Sequence, residues 1–401
     1  MKRQPSKGFA IVMVITLLGL LVLATYALSV LGRVNSQLSA SKAYQVQARQ
    51  NALLGLGVAL GELQRHAGPD DRITGMAGIS GVPARDTLRQ WSGVWGSAPS
   101  PVWLASGGSG LMQPSLSGAR VLLVAAESVA NPVNKTDQEF VEAGLVEVPG
   151  IGATGEMTVQ GRLAYWVGDH GVKLSAYVGT GEPQALNALA GLVANSPELD
   201  KVLSYEQLTQ APRLPGITPA ALAGQLRMAF HSLGLTHNGL TGENLIPGML
   251  NINSTSARYW NAVAETYNLR RPDGSPMLVA AAFSAELANR IAESDPTRGK
   301  AQNEPFAGVD AFLQGQALEA ALAASGGSLL DFITVMEPWL TVRSDTFRIR
   351  AYGDAVNPVD PARVEAVAYC EAIVQRTAAE LPGFGRRFVI KYFRWLGPDD
   401  I

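Results

Sequence analysis

Between Lys7 and Arg33 the chain carries no charged side chain. That run, residues 8–32, is 25 residues long, and roughly 20 apolar residues span the hydrocarbon core of a bilayer. Lys2, Arg3 and Lys7 lie before it. A basic flank on that side predicts a cytoplasmic N-terminus, with the remaining chain outside the inner membrane. A conventional secretion signal has a shorter apolar region and ends in a small-x-small cleavage site. Here the apolar run passes into "RVNSQLSASKAYQVQARQNALLGLGVALGELQRHAG", which has no proline and reads as continued helix. Leu53, Leu56, Leu60 and Leu63 recur at steps of three and four, which predicts one buried face. Gly68-Pro69 then stops the helix. One helix over 9–66 would be roughly 85 Å long at 1.5 Å per residue. Its first part, 9–32, suits lipid; its second suits packing against a globular head.

Composition narrows the remainder. Of 401 residues, 47% are hydrophobic and 16% charged, which is too apolar for a disordered chain. The net charge of −2 gives no general attraction to nucleic acid or anionic lipid. Neither a GxxxxGK[ST] phosphate loop nor a CxxC pair is present. The single cysteine, Cys370, excludes an internal disulfide, and its alternating apolar context reads as a buried structural thiol.

Residues 67–117 are rich in Gly, Pro and Ser and read as irregular loops. Residues 118–129 and 155–179 read as strands. From 182 to about 324 the pattern is helical, in "PQALNALAGLVA", "TPAALAGQLRMAFHSLG", "STSARYWNAVAETYN", "SAELANRIAES" and "GVDAFLQGQALEAALAA". Strands return in "DTFRIRAYGDA", "RVEAVAYCEAIVQR" and "RRFVIKYFRWLG". Strands split by a helical block can form one antiparallel sheet with the block as a second lobe.

The front end resembles a type IV pilin or pseudopilin. "KGFAIVMV" looks like the family's processing signal: a short basic leader, a glycine, then a phenylalanine opening the apolar helix. The resemblance implies that a prepilin peptidase cuts after Gly8 and methylates Phe9, so that the leader goes and the membrane helix stays. Most pilins keep a glutamate at the fifth mature position; here it is Met13. The minor pseudopilin of the general secretion pathway protein K type, which caps the tip in type II secretion, also lacks it. That type carries a helical domain inserted in a pilin-like sheet. "GRLAYWVGDHGVKLS", "PGMLNINSTS", "NEPFAGVDAFL" and "DTFRIRAYG" followed by "VEAVAYCEAIVQR" resemble its local patterns. The "NINSTS" turn before a tryptophan, and the ending "FRIRAYG", "CEAIVQR", "RRF", "FRWL", are similar to the Verru_Chthon cassette protein A family.

These resemblances imply an α+β, pilin-like fold. A leader at 1–8 is followed by the long helix at 9–66, transmembrane over 9–32. The head comprises 67–180 and C-terminal strands within 331–401, with a helical subdomain inserted at 181–330. The expected partners are the inner membrane, prepilin peptidase, and other pseudopilins or assembly-platform proteins.

The polar clusters have ordinary structural readings. Asp169-His170-Gly171 fits a hairpin turn. His231 and His237 are six apart with Gly234 between them, which is not a ligand spacing on one helix face. Asn253 or Ser254 can cap the helix that runs through Trp260. No EF-hand-type loop is present, so calcium is unassigned. "FGRRFVIKYFRWL" interleaves basic and aromatic residues. Strand alternation accounts for it better than base stacking, with Phe388, Ile390, Tyr392 and Arg394 on one side and Val389, Lys391, Phe393 and Trp395 on the other. No catalytic motif, cofactor, metal, nucleic acid or small-molecule substrate is read. The expected function is a minor pseudopilin-like component that caps or initiates a pseudopilus. The alternative is a membrane-anchored periplasmic scaffold or binding protein that joins no filament.

Overall fold

The computed structural model describes residues 7–83, 86–96, 100–109, 112–124, 140–151, 155–171, 174–175, 230–231, 250–268, 276–397 and 400–401. The expected helices in "PQALNALAGLVA" and in most of "TPAALAGQLRMAFHSLG" lie outside these residues, as does His237.

The chain is α+β. A single helix, α1 (Lys7–Ala67), runs 61 residues without a break. Its C-terminal half packs on an antiparallel five-stranded sheet. The strands are β1 (Val146–Ile151), β2 (Met157–Asp169), β3 (Thr346–Val356), β4 (Val364–Leu381) and β5 (Gly385–Leu396). Spatial order follows chain order, β1 to β5, and every neighbouring pair is antiparallel. The sheet is therefore a meander. The one long excursion leaves after β2 and returns at β3, whose first pairs are Phe347 with Asp169 and Arg348 with Gly168.

The buried stripe of α1 is Ala48, Ala52, Leu56, Ala59, Leu63 and Ala67. Their spacing of three and four keeps them on one face. The expected leucine face is therefore corrected. Leu56 and Leu63 are buried and Leu60 is half-buried, but Leu53 is 45% exposed. Alanines form most of the seam because helix and sheet approach closely. A Cβ added to Gly353 of β3 would stand 2.1 Å from the Ala52 nitrogen and 2.4 Å from the Ala48 oxygen. Only glycine on the strand and small residues on the helix permit that contact.

The opposite face of the sheet is covered by the segment between α1 and β1. Its core gathers Trp91, Leu123, Val124, Val141 and Ala143 against Trp166 and Tyr352. The expectation of irregular loops over 67–117 does not hold throughout. Ile73–Met76, Ser92–Trp95 and Val102–Trp103 form a three-stranded antiparallel sheet. Strands of two and four residues are too short to display alternation, so glycine and serine dominated the pattern.

β5 does not alternate strictly. Val374 pairs with Ile390 and Ile373 with Tyr392, so Lys391 is the extra residue of a bulge. Beyond it the sides exchange. Phe393 and Trp395 pair with Ala372 and Cys370, which pack in the α1-facing core. They therefore share the α1 side with Phe388, and Tyr392 joins Val389 on the other face.

The described part of the excursion has its own core. Helices α2 (Ala257–Asn268), α3 (Ala280–Arg290), α4 (Val309–Leu313), α5 (Gln316–Ser325) and α6 (Leu329–Met336) surround Trp260, Phe283, Phe306, Phe312 and Phe332. Trp260 stacks on Phe312 with ring centres 5.8 Å apart. The run "GVDAFLQGQALEAALAA" is two helices, broken at Gly315. Residues 331–336 belong to α6, and the C-terminal strands begin at Leu340. Phe230–His231, expected as helix, forms a two-residue parallel bridge with Leu174–Ser175.

Candidate assembly surface

The N-terminal half of α1 projects free of the head. Every residue from 12 to 43 is exposed. Both threonines in this stretch, whose hydroxyls would be costly in lipid, satisfy them along the helix. Thr16 Oγ1 donates to the Met13 carbonyl at 2.9 Å, and Thr25 Oγ1 donates to those of Leu21 and Val22. Gly8 and Phe9 lie in the first turn of α1. Met13, one turn on, is 63% exposed. The three residues singled out for processing and subunit pairing thus lie on one helix end, remote from the head.

Two polar clusters hold the head on α1, and a third ties the sheet to the layer on its other face. Arg376, fully buried, donates to the Gly68 carbonyl, to Asp70 and, at 3.3 Å, to Asp345. Its positive charge sits where the helix leaves carbonyls unpaired and partly negative. Burial alone would raise the Asp70 carboxyl, but hydrogen bonds from Arg376 and Arg386 outweigh it and hold that pKa low. Further along, Gln64 Nε2 donates to the carbonyls of Phe384 and Arg386, and its Oε1 accepts from the Phe388 amide. Mid-sheet, on the face turned away from α1, Glu371 accepts from Arg350 at 2.8 Å and Arg394 at 3.1 Å, with Arg348 at 3.8 Å, and Arg350 also donates to the Leu123 carbonyl. Burial opposes its charge, but the arginines hold its carboxyl well below the usual range.

The neck of the inserted lobe is a buried hydrogen-bond hub. Asn251 Nδ2 lies 2.8 Å from Thr74 Oγ1, 2.9 Å from Ser344 Oγ and 3.3 Å from Asp169 Oδ2. Ser344 Oγ donates to Asp169 Oδ2 at 2.7 Å, and the Gly171 amide donates to Asp169 Oδ1 at 2.7 Å. One asparagine therefore joins four segments: the first small sheet, the end of β2, the lobe and the start of β3. Desolvation pushes the Asp169 carboxyl up to about 6, against the hydrogen bonds that favour its charge.

Asp169-His170-Gly171 is a turn, but not that of a hairpin. The Gly171 amide closes it on Asp169, and the His170 amide bonds to Thr346 across the neck. His231 sits in the short parallel bridge. The α2 cap is neither Asn253 nor Ser254. Ser256 Oγ accepts from the Tyr259 amide at 3.3 Å. Asn253 instead clasps Phe306, accepting from its amide and donating to its carbonyl. Cys370 is a buried free thiol raised to about 12, chiefly by burial. Among the described residues no group of three His, Cys, Asp or Glu side chains could hold a metal ion.

Sequence reasoning missed Asn251, Arg376 and Glu371. The signal was present as charge inside alternating strands, "FRIRAYG" and "YCEAIVQR", where the pattern calls for apolar residues.

No family model matches the chain, and no curated protein matches it. Among solved structures the chain is similar to one in the GspK-GspI-GspJ complex from the type 2 secretion system of enterotoxigenic Escherichia coli. The TM-score is 0.30 at 11% identity, covering 64% of this chain and 84% of that chain. The class of fold, a pilin-like helix on an antiparallel sheet, rests on this chain's own α1 and meander.

Proposed function

We propose that the protein is a minor pseudopilin-like component of a type II secretion or type IV pilus-like envelope assembly, placed to cap or initiate a pseudopilus. The observation that carries this reading is α1. One uninterrupted helix is bare and apolar over its first half and seated on the head over its second. A plain anchor needs no such continuity, whereas a subunit that bundles helices below stacked heads does. The helix spans the inner membrane with the head on the periplasmic side. Its partners are other pseudopilins, met through 9–31 and the underside of the head, and prepilin peptidase acting at Gly8. The role is structural and not enzymatic.

Met13 favours an end position. In a bundle of apolar helices each N-terminal ammonium needs a counter-charge, since an unpaired ion there costs several kcal/mol. Met13 supplies none, and a terminal subunit has no neighbour to neutralise on its outer side. The same residue suits the alternative, a membrane-anchored scaffold outside any filament.

N-terminal sequencing of the protein purified from membranes tests the reading. The expected mature chain begins at N-methylated Phe9, and Gly8→Val abolishes processing. A chain that begins at Met1, or beyond Arg33, overturns it.

A further inference from the structure

Two tips of the meander, the paired ends of β1 and β2 at Ile151 and Met157 and the turn between β3 and β4, lie toward the N-terminal end of α1. The row Leu163, Gly353 and Ala368 crosses α1 where Gly353 abuts Ala48 and Ala52. From that row β2 runs back six residues to Met157, and β3 and its turn run on six to Val359. At about 3.3 Å per residue both ends reach up to about 20 Å from the row. On α1 that distance corresponds to about 13 residues at 1.5 Å each, the level of residue 37 or so. A hydrogen bond from Gln45 to the Val367 carbonyl, 3.4 Å, fixes the same direction. The uncharged run ends at Gly32. Met157 and Val359 therefore lie about 7 Å beyond its end, and the headgroup layer on each side of a bilayer is roughly 5–8 Å thick.

Both tips present apolar side chains there. Val359 is 92% exposed, and Ile151 and Met157 at the paired strand ends are 72% and 71% exposed. The Val359 turn is preorganised. Asn357 Oδ1 accepts from the Val359 and Asp360 amides, the Arg363 amide bonds to the Asp360 carbonyl, and Pro358 and Pro361 restrict the backbone. A rigid turn that holds valine fully in water gains nothing from the fold around it. The charges beside it, Asp360 and the Arg363–Glu365 pair at 3.0 Å, flank the valine and suit a zwitterionic headgroup layer.

We propose that the β3–β4 turn and the paired strand ends at Ile151 and Met157 rest in the headgroup layer of the bilayer that α1 crosses, with Val359 and the Ile151–Met157 pair as the two apolar footholds. The head is then held at a set tilt by the helix and two props. The inference rests on the membrane-spanning reading of α1, and the experiment separates the two. Environment-sensitive fluorophores are placed on full-length protein through Val359→Cys, Met157→Cys, Leu23→Cys and Leu330→Cys, one at a time. Cys370 is fully buried and stays as it is. Leu330 serves as the control remote from the two tips, on the inserted lobe that leaves the sheet at its other end. Each protein is reconstituted in phosphatidylcholine nanodiscs with lipid bearing a nitroxide either near the headgroup or deep in the chain. The expected result is quenching at 359 and 157 by the shallow nitroxide, at 23 by the deep one, and none at 330. Full emission at 359 and 157 with quenching at 23 overturns the proposal, leaves the spanning helix standing and frees the two tips for contact with another subunit. Absence of quenching at 23 removes the spanning reading, and the proposal with it.

Discussion

Asp169 is a carboxyl group held out of water at the neck of the lobe, and burial lifts its pKa from near 3.8 to about 6. A folded-state pKa above the unfolded one means that the fold prefers the protonated acid. The associated stability is fully present below about pH 4 and is lost as pH rises through about 6. The nearby charges are Asp345, which adds to the lift, and the more distant Arg343 and Arg376 on that second aspartate. Glu371 works the other way: its lowered pKa gives stability that appears above its ordinary value and fades as pH falls. Asp169→Asn removes one of these two opposing slopes. Urea unfolding of wild type and variant in detergent, at steps between about pH 4.5 and 7.5, should show their difference changing in favour of the variant as pH rises. A difference that is flat with pH would mean that Asp169 does not titrate in this window.

At the scale of elements, α1 earns its seat through small residues and two leucines. Leu63→Ala removes a fully buried side chain and should cost about 2–5 kcal/mol, the usual range for a core leucine. Leu53→Ala, on a side chain 45% exposed, should stay within about 0.5 kcal/mol. Denaturant midpoints of the two variants check this directly, and equal losses would place the sheet on the wrong side of the helix. The helix itself was plain from the unbroken apolar run and the Gly68-Pro69 stop. Its buried face was only half legible. Leucines stand out in a 3–4 pattern, whereas the seam is mostly alanine, whose partner Gly353 lies some 300 positions away. The three C-terminal strands were legible because each is long. The strands between 73 and 103 were not, since four residues or fewer show no period. The bulge at Lys391 left no local mark and reversed the expected sides of Phe393 and Trp395. Asn251 looked like part of a capping turn because the partners that define its role, Thr74, Asp169 and Ser344, are remote in sequence.

For the whole molecule, the question is copy number. A bulky lobe beside the sheet and a methionine at position 13 both argue against a repeating subunit. In purified assemblies the chain is expected in the minority relative to its pilin-like partners, and Met13→Glu should raise its incorporation along the filament. Quantitative mass spectrometry of the assemblies measures both. A chain that already dominates, or a variant with unchanged stoichiometry, contradicts the capping role. The neck bears on a different matter, the order in which the chain finds its fold. β3, β4 and β5 are joined by short turns and can pair as soon as they are made. β2 must wait for a loop of roughly 175 residues to close onto β3, and closing such a loop instead of a tight turn costs about 3 kcal/mol in chain entropy. The described part of the lobe within 250–340 has its own core, which shortens the loop left to close. Leu250–Asn251 pairs with Leu340–Thr341, so residues 250 and 340 lie side by side, and the Asn251 amide bonds to Gly171 at the neck. Pairing 250 with 340 first about halves the loop that remains, which recovers about 0.6 kcal/mol of that entropy, and the sheet is completed across a shortened span.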